Sequence, residues 1–369
     1  MKVRRYNFAS QFTEGLPTLI DDLQRILLEG DYVLGRPVER FEHHFAEYLG
    51  ARYATGVNSG TDALLLTFMA LGIGTGDEVI TQANTFHATV AAICLAGATP
   101  VLVDADDATF LMDTEQLEAA VTSKTAAIVP VHLFGKPSPM AEILRIAEKH
   151  GIHVIEDAAQ SHGARTGGRR TGTLGIAGCF SFHPSKNLAA AGDGGAVVTS
   201  DKQLDQALRF KRGLGQSAPN QHVTIGLNSK LDVIQARILD GKLPQLDSWN
   251  ARRRAIAANY RVALVGMPLR FQAEDESEEH VYHLFQIRTD DRDRLMDHLL
   301  NHGVEATIRY PTPVHLQPAF SDRRWRPGEF PVAEALAREL ICLPIRPDMV
   351  DQEVEYTAER IHQFFLKNE

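Results

Sequence analysis

Between residues 53 and 199, short apolar runs alternate with amphipathic segments of helix length, the pattern of crossover units laid on a mostly parallel sheet. The runs fall at 53–57, 78–81, 99–103, 125–131, 153–156, 178–182 and 195–199. Most are apolar at consecutive positions, as strands covered on both faces require. Helical spacing occupies 61–71, 88–95, 114–121 and 138–150. This predicts an α/β fold. Residues 229–264 read as helical, with Ser229 and Asp232 in capping-box spacing and Pro244 marking a kink, so they form a plausible bridge between two units. Beyond it a strand at 282–288, a helix at 291–301, a strand at 306–310 and a closing helix at 353–365 predict a small α+β unit. The expected division is a large domain over 1–245 and a small one over 246–369.

Composition narrows the function classes. The 369 residues are 44% hydrophobic and 23% charged, which fits a folded globular chain and excludes collagenous, disordered and coiled-coil ones. Asp and Glu outnumber Lys and Arg by 47 to 38, a formal charge of -9, the wrong sign for a general nucleic-acid or membrane-surface binder. Cys94, Cys179 and Cys342 are too widely spaced for a CxxC metal site, and their odd number does not suit a disulfide framework. No apolar segment of signal-peptide length follows the basic start, and the least charged stretch, 79–103, is broken by Gln82, Asn84, His87, Gly97 and Pro100. A cytoplasmic location is expected. The acidic run 274–279 reads as a solvated loop.

Gly72-Ile73-Gly74-Thr75-Gly76-Asp77 has the glycines of a dinucleotide loop in the wrong context. They follow a helix and precede a strand, so a helix stop explains them. Asn58-Ser59-Gly60-Thr61 has the right context, leaving a strand and opening a helix. Free N–H groups and the positive end of the helix dipole suit a phosphate, and Gly60 permits close approach. Ordinary capping by Ser59 accounts for the same residues equally well. Asp157 stands where the strand 153–156 ends, the place where open α/β sheets bind ligands, although loop capping is an alternative. Lys186 follows in Phe180-Ser181-Phe182-His183-Pro184-Ser185-Lys186, and a lone lysine is usually a surface charge.

Together these residues answer the needs of one cofactor, pyridoxal 5'-phosphate (PLP), whose aldehyde requires an amine, whose ring nitrogen a carboxylate and whose phosphate a helix start. A lysine supplies the Schiff base, and an aspartate keeps the ring nitrogen protonated. Ser181 adds a hydroxyl for the phosphate. Phe86, following a strand, is placed to stack on the ring, or to serve as a core phenylalanine.

With Phe41-Glu42, Gly97-Ala98-Thr99-Pro100-Val101, Pro130-Val131-His132-Leu133-Phe134-Gly135, Gly226-Leu227-Asn228-Ser229-Lys230-Leu231-Asp232 and His315-Leu316-Gln317-Pro318 in order, the chain resembles the DegT/DnrJ/EryC1/StrS family, nucleotide-sugar aminotransferases of PLP fold type I. The resemblance spans nearly the whole chain. It implies that Lys186 is the Schiff-base lysine, Asp157 the partner of the pyridine nitrogen and Gln160 the neighbour of the ring hydroxyl. Gly60, Thr61 and Ser181 match phosphate-binding positions, and Phe86 the ring-stacking aromatic. Asn228 matches a residue reaching the phosphate of a neighbouring subunit, which implies a homodimer with shared sites. Capping of the following helix is the local alternative for Asn228.

The implied reaction moves an amino group from an amino acid, usually L-glutamate, to a nucleotide-diphosphate-linked keto sugar, with Lys186 as the proton carrier. A histidine replaces this lysine in the dehydratase branch, so Lys186 speaks against that branch. Gly192-Asp193-Gly194-Gly195 is similar to members acting at the third sugar carbon, whereas His183-Pro184 departs from many of them. Gly30-Asp31-Tyr32 and Tyr310-Pro311 with His315 resemble substrate-side loops. A keto-cyclitol aminotransferase and a PLP-binding regulator without turnover are the alternatives.

Overall fold

The seven apolar runs assemble into one sheet, and their order across it is what brings the chemistry-bearing turns together. The computed structural model describes residues 1–12, 15–322 and 325–366. The strands are β1 (Tyr53–Val57), β2 (Glu78–Gln82), β3 (Thr99–Val103), β4 (Thr125–Val129), β5 (His153–Asp157), β6 (Ala177–Ser181) and β7 (Gly195–Thr199). They lie in the order β1-β7-β6-β5-β4-β2-β3. Only β7 runs against the rest, antiparallel to both β1 and β6; the other pairings are parallel. The mostly parallel α/β architecture is thus observed.

Successive residues of the central strands enter different cores, as the two-residue period of a strand dictates. Ala54, Phe180, Phe182, Ala196 and Val198 pack with Phe41, Phe45 and Leu239 on one side. Val57, Cys179 and Val197 pack with Leu64, Leu66, Phe68 and Leu208 on the other. Helices therefore cover both faces, which explains the near-continuous apolar runs. Phe41, Phe45, Phe180 and Phe182 form a ring cluster with centroids 5.1 to 5.5 Å apart. Gly72 adopts φ 73° and closes the helix Gly60–Leu71, which confirms the helix-stop reading of the 72–76 glycines.

The bridging segment comprises helices Val233–Lys242 and Leu246–Ala263, separated by a 3-10 turn at Leu243–Gln245 that contains Pro244. The capping box does not form. Asp232 occupies the N-cap without a side-chain cap bond. The Ser229 hydroxyl instead accepts the Asn58 N–H at 3.1 Å and donates to Asp62 at 2.7 Å, so it ties down the turn after β1.

A separate core gathers Tyr260, Phe285, Ile287, Leu295, Ile341 and Phe364, together with Val3 from the start of the chain. Its sheet is β8 (Arg270–Phe271), β9 (Phe285–Arg288) and β10 (Leu340–Leu343). Two expectations fail in this region. Residues 306–310 form no strand, since only Thr307 makes an isolated bridge, to Cys342. The third strand is β10, which follows the helix Pro331–Glu339 without a break and so reads as that helix's apolar end. The acidic run is a solvated loop only in part: Glu274 to Ser277 are exposed. Glu278–Glu279 pairs with Arg165–Thr166, and Glu278 forms an ion pair with buried Lys136, which needs a counter-charge. Among the described residues no helix is long and apolar enough to cross a membrane, and no group of three or more His, Cys, Asp or Glu side chains is placed to hold a metal.

Candidate active site

Register places the turns. Val57 of β1 pairs with Gly195 of β7, which pairs with Ser181 of β6, so the three form one row across the sheet at the C-terminal ends of β1 and β6. The chain leaving β1 folds over that row. A side chain at Gly195 would put its Cβ 2.4 Å from the Ser59 carbonyl, and one at Gly60 would put its Cβ 2.7 Å from the Ser181 Cβ. Both glycines are required by this close approach, and the start of the helix Gly60–Leu71 is thereby pressed onto Ser181.

Ser59 caps this helix by accepting the Asp62 N–H at 3.1 Å, and its carbonyl accepts from the Ala63 N–H at 3.0 Å. The Gly60 and Thr61 N–H groups, one turn too early for a helical acceptor, have no backbone partner. Capping and anion binding therefore coexist at this turn. The two free N–H groups, the Thr61 side chain and Ser181 make a cradle suited to a phosphate.

The cradle opens into a cavity of about 320 Å³ lined also by Phe86, Asp157, Gln160 and Lys186. Seven of the eight expected residues thus line one space. Asp157, last residue of β5, is buried at 6% exposure, with Thr89 Oγ1 donating to one carboxylate oxygen at 2.8 Å and the Ala159 N–H to the other at 3.2 Å. Burial pushes its pKa up, against the opposing pull of those hydrogen bonds and of the Lys186 charge. The Lys186 amine is pushed down to about 8, chiefly by burial and further by Arg309, while Asp157 opposes the shift. A cation facing Asp157 and an electrophile for Lys186 would relieve both groups.

Phe86 ends the turn before the helix His87–Leu95 with 49% of its surface exposed, so it is no core residue. Its ring lies 5.2 Å from that of Tyr310, tilted by 31°. Tyr310 also accepts from Gln160 Nε2 at 3.0 Å, and Gln160 Oε1 accepts the Phe134 N–H at 2.8 Å, which pins the amide at the cavity wall. On the opposite face of β5, Glu156 accepts the N–H groups of Gly172, Leu174 and Gly175 at 2.6 to 2.8 Å and meets His132 Nε2 at 2.9 Å. Because the Ser138 N–H donates to His132 Nδ1 at 2.9 Å, Nε2 carries the proton donated to Glu156. This buried network anchors the strand end that carries Asp157.

Asn228 is exposed and does not line this cavity; it bridges to Gly213 and accepts from Lys230. Neither Gly30 to Tyr32 nor His315 lines it either, and His315 is buried against Glu334. Tyr310, His183 and Asp193 do line it, as do Arg5, His283 and Arg309, which no motif in the sequence singles out. His283 donates to Asn187 at 3.2 Å, and burial holds its pKa well below the ordinary value.

The model of the DegT/DnrJ/EryC1/StrS aminotransferase family matches residues 17–362. The chain is 44% identical over 351 residues to the dTDP-3-amino-3,4,6-trideoxy-alpha-D-glucose transaminase of Streptomyces venezuelae, covering 92% of each. It is 40% identical over 368 residues to a pleiotropic regulatory protein of Geobacillus stearothermophilus, covering 99% of each. The structure of DesV from S. venezuelae, solved in complex with a ketimine intermediate, superposes with a TM-score of 0.96 at 41% identity, covering 98% of each chain. This chain belongs to the DegT/DnrJ/EryC1/StrS aminotransferase family.

Proposed function

We propose that this protein is a PLP-dependent aminotransferase that moves an amino group from an amino acid, L-glutamate foremost, to a nucleotide-diphosphate-linked keto sugar. The observation that carries the reading is the convergence of Lys186 and Asp157 on one cavity with a helix start whose first N–H groups lack acceptors. The donor set fits PLP. Gly60, Thr61 and Ser181 would hold its phosphate, Asp157 its ring nitrogen, Gln160 the vicinity of its ring hydroxyl and Phe86 its ring face, with Lys186 as the residue that links to it covalently. When bound, PLP supplies a conjugated sink for the electron pair left by deprotonation of the donor's α-carbon.

The chain's own contribution follows from the geometry. Asp157, oriented by Thr89 and the Ala159 N–H and with its pKa raised by burial, gains a partner when a protonated ring nitrogen faces it, and would in turn stabilise that positive charge. Lys186 Nζ, with its pKa near 8, is sufficiently often neutral near pH 7 to take a proton from the donor's α-carbon and to deliver one to the sugar carbon in the second half. Lys186 is half-buried at the wall of this cavity, beside the buried side chains of Asp157, Gln160 and His283.

The finer points belong to the same reading. The third sugar carbon is slightly favoured, in keeping with the 3-amino product named for the S. venezuelae relative. A homodimer is supported by Asn228 lying outside its own chain's cavity, near Leu214, Val223 and Ile225, whose apolar side chains are exposed, and a cytoplasmic location belongs to the same reading. The division at 245/246 is supported by the separate second core drawn from residues 256–364, and Val3, which joins that core from the start of the chain, departs from it. The name of the G. stearothermophilus relative favours a second reading, a regulator that holds PLP without turnover. Purified protein should take up PLP with a visible absorption band that L-glutamate bleaches, and Lys186→Ala should abolish the band. A colourless protein that takes up no PLP refutes the proposal, and a band that no amino acid bleaches supports the regulator. Keto sugars and keto cyclitols offered to the pyridoxamine form, with products read by NMR, decide substrate and position.

A further inference from the structure

Arg5 and Arg309 line the Lys186 cavity, and the roles proposed above use neither. The first is carried by the start of the chain, where Val3 bridges to Val304 and the Arg5 N–H donates to Glu305 at 3.1 Å; the second immediately precedes Tyr310. Among the described residues neither guanidinium forms an ion pair. Other arginines of the second core do: Arg288 pairs with Asp107 and Glu339, and Arg346 with Asp348 and Glu353. Arg5 lies over the Tyr6 ring at 4.7 Å, and the two acids that line the cavity, Asp157 and Asp193, pair with neither arginine.

Two unpaired guanidinium groups beside a third cation, Lys186, repel one another, and a partly enclosed cavity screens them less than open water does. The charge of Arg309 lowers the pKa of both Arg5 and Lys186, though burial is the larger cause at each. An arriving anion removes this repulsion. A planar guanidinium matches a carboxylate with two parallel N–H···O bonds.

We infer that Arg309 binds the α-carboxylate of the amino donor and that Arg5 binds the side-chain carboxylate of a dicarboxylic one. This rests on the aminotransferase reading and adds to it the residues that recognise the donor. The α-carboxylate is bonded to the very carbon that loses its proton, so its partner must lie within electrostatic reach of Lys186, as Arg309 does. A sugar diphosphate hangs instead from the anomeric oxygen, further from the reacting carbon. Arg309 adjoins Tyr310, which meets Phe86 and Gln160, whereas Arg5 reaches the same cavity from the chain start tied to Glu305, and a glutamate side chain carries its second carboxylate two methylenes away from the reacting carbon.

The test is the donor half-reaction on PLP-loaded protein, followed by bleaching of the visible band with L-glutamate, L-glutamine and L-alanine over a range of concentrations. Wild-type protein is expected to half-saturate with L-glutamate at about tenfold lower concentration than with L-glutamine. Arg309→Gln should raise the half-saturating concentration of all three by about tenfold to a hundredfold, with partial recovery in Arg309→Lys. Arg5→Gln should cost L-glutamate at least about fivefold more than it costs L-alanine. Equal saturation by L-glutamate and L-glutamine in the wild type overturns the role of Arg5. Unchanged donor saturation in both variants, with weakened inhibition by dTDP or UDP, overturns the inference and assigns the pair to the diphosphate. Wild-type protein that no amino acid bleaches defeats the aminotransferase reading itself, a distinct outcome.

Discussion

Replacing Gly60 by alanine adds one methyl at the point where the helix start meets the sheet. Its Cβ would lie 2.7 Å from the Ser181 Cβ, 3.2 Å from the Ser181 Cα and 3.4 Å from the hydroxyl. Ordinary contact begins near 3.4 Å, so the helix start must retreat from β6 by about 0.7 Å, because the nearest atoms are backbone or one bond from it. Overpacking of this kind costs about 1 to 3 kcal/mol, while alanine's helix preference over glycine returns up to about 1 kcal/mol. The net loss in the cofactor-free protein is about 1 kcal/mol. PLP binding should suffer more, because the Gly60 and Thr61 N–H groups move away from Ser181 while the far wall of the cavity stays in place. Weakening two charge-assisted hydrogen bonds is worth about 2 to 3 kcal/mol, roughly 30-fold to 150-fold in the dissociation constant. Urea unfolding of the cofactor-free protein and a spectroscopic PLP titration measure the two effects separately. Adding Ser181→Gly removes the nearest clashing atom and should recover most of the stability but only part of the affinity, since the hydroxyl goes with it. A Gly60→Ala protein that binds PLP as tightly as the wild type would refute the assignment of this turn as the phosphate cradle.

Two further expectations concern protons. Lys186 sits near 8 instead of its ordinary 10.5, so the rate at which cofactor-free protein captures PLP should rise with pH through a midpoint near 8; a midpoint near 10 contradicts the burial argument. His162, whose ring packs against Phe180 and Phe182 at 5.4 and 5.8 Å, is pushed down to about 3, chiefly by burial and next by the Lys186 charge. Between pH 6.5 and 3 the unfolded chain therefore binds a proton at this residue that the folded protein does not, so stability falls as the solution is acidified through that window. At pH 5 the loss from His162 is about 2 kcal/mol, and His162→Phe should shrink the pH 7 to pH 5 difference in unfolding free energy by that amount. An unchanged difference in urea melts at the two pH values contradicts it.

The large sheet was legible because each strand buries both faces and announces itself locally. Gly60, Asp157, Ser181 and Lys186 were legible because their chemistry lies in short segments at strand ends. The rest depends on distant partners. β10 looks like the tail of a helix until β9 is beside it, and 306–310 looks like a strand although only Thr307 finds a ladder partner. Ser229 sits in capping-box spacing but serves a turn 171 residues earlier. Arg5 and Arg309 belong to no motif, since their meaning arises only when the start of the chain docks beside residue 304.

The row Val57, Gly195 and Ser181 has a consequence for how the protein is made. On a ribosome, the first half of the cradle emerges well before the strand that must hold it, because β1 can pair only with β7. Closing a loop of that length costs on the order of 4 kcal/mol, repaid only after Gly195 has slid beneath Ser59. Truncated or stalled chains lacking β7 thus have no assembled pocket in which to sequester a reactive vitamin, and capture is deferred until about two hundred residues have been translated.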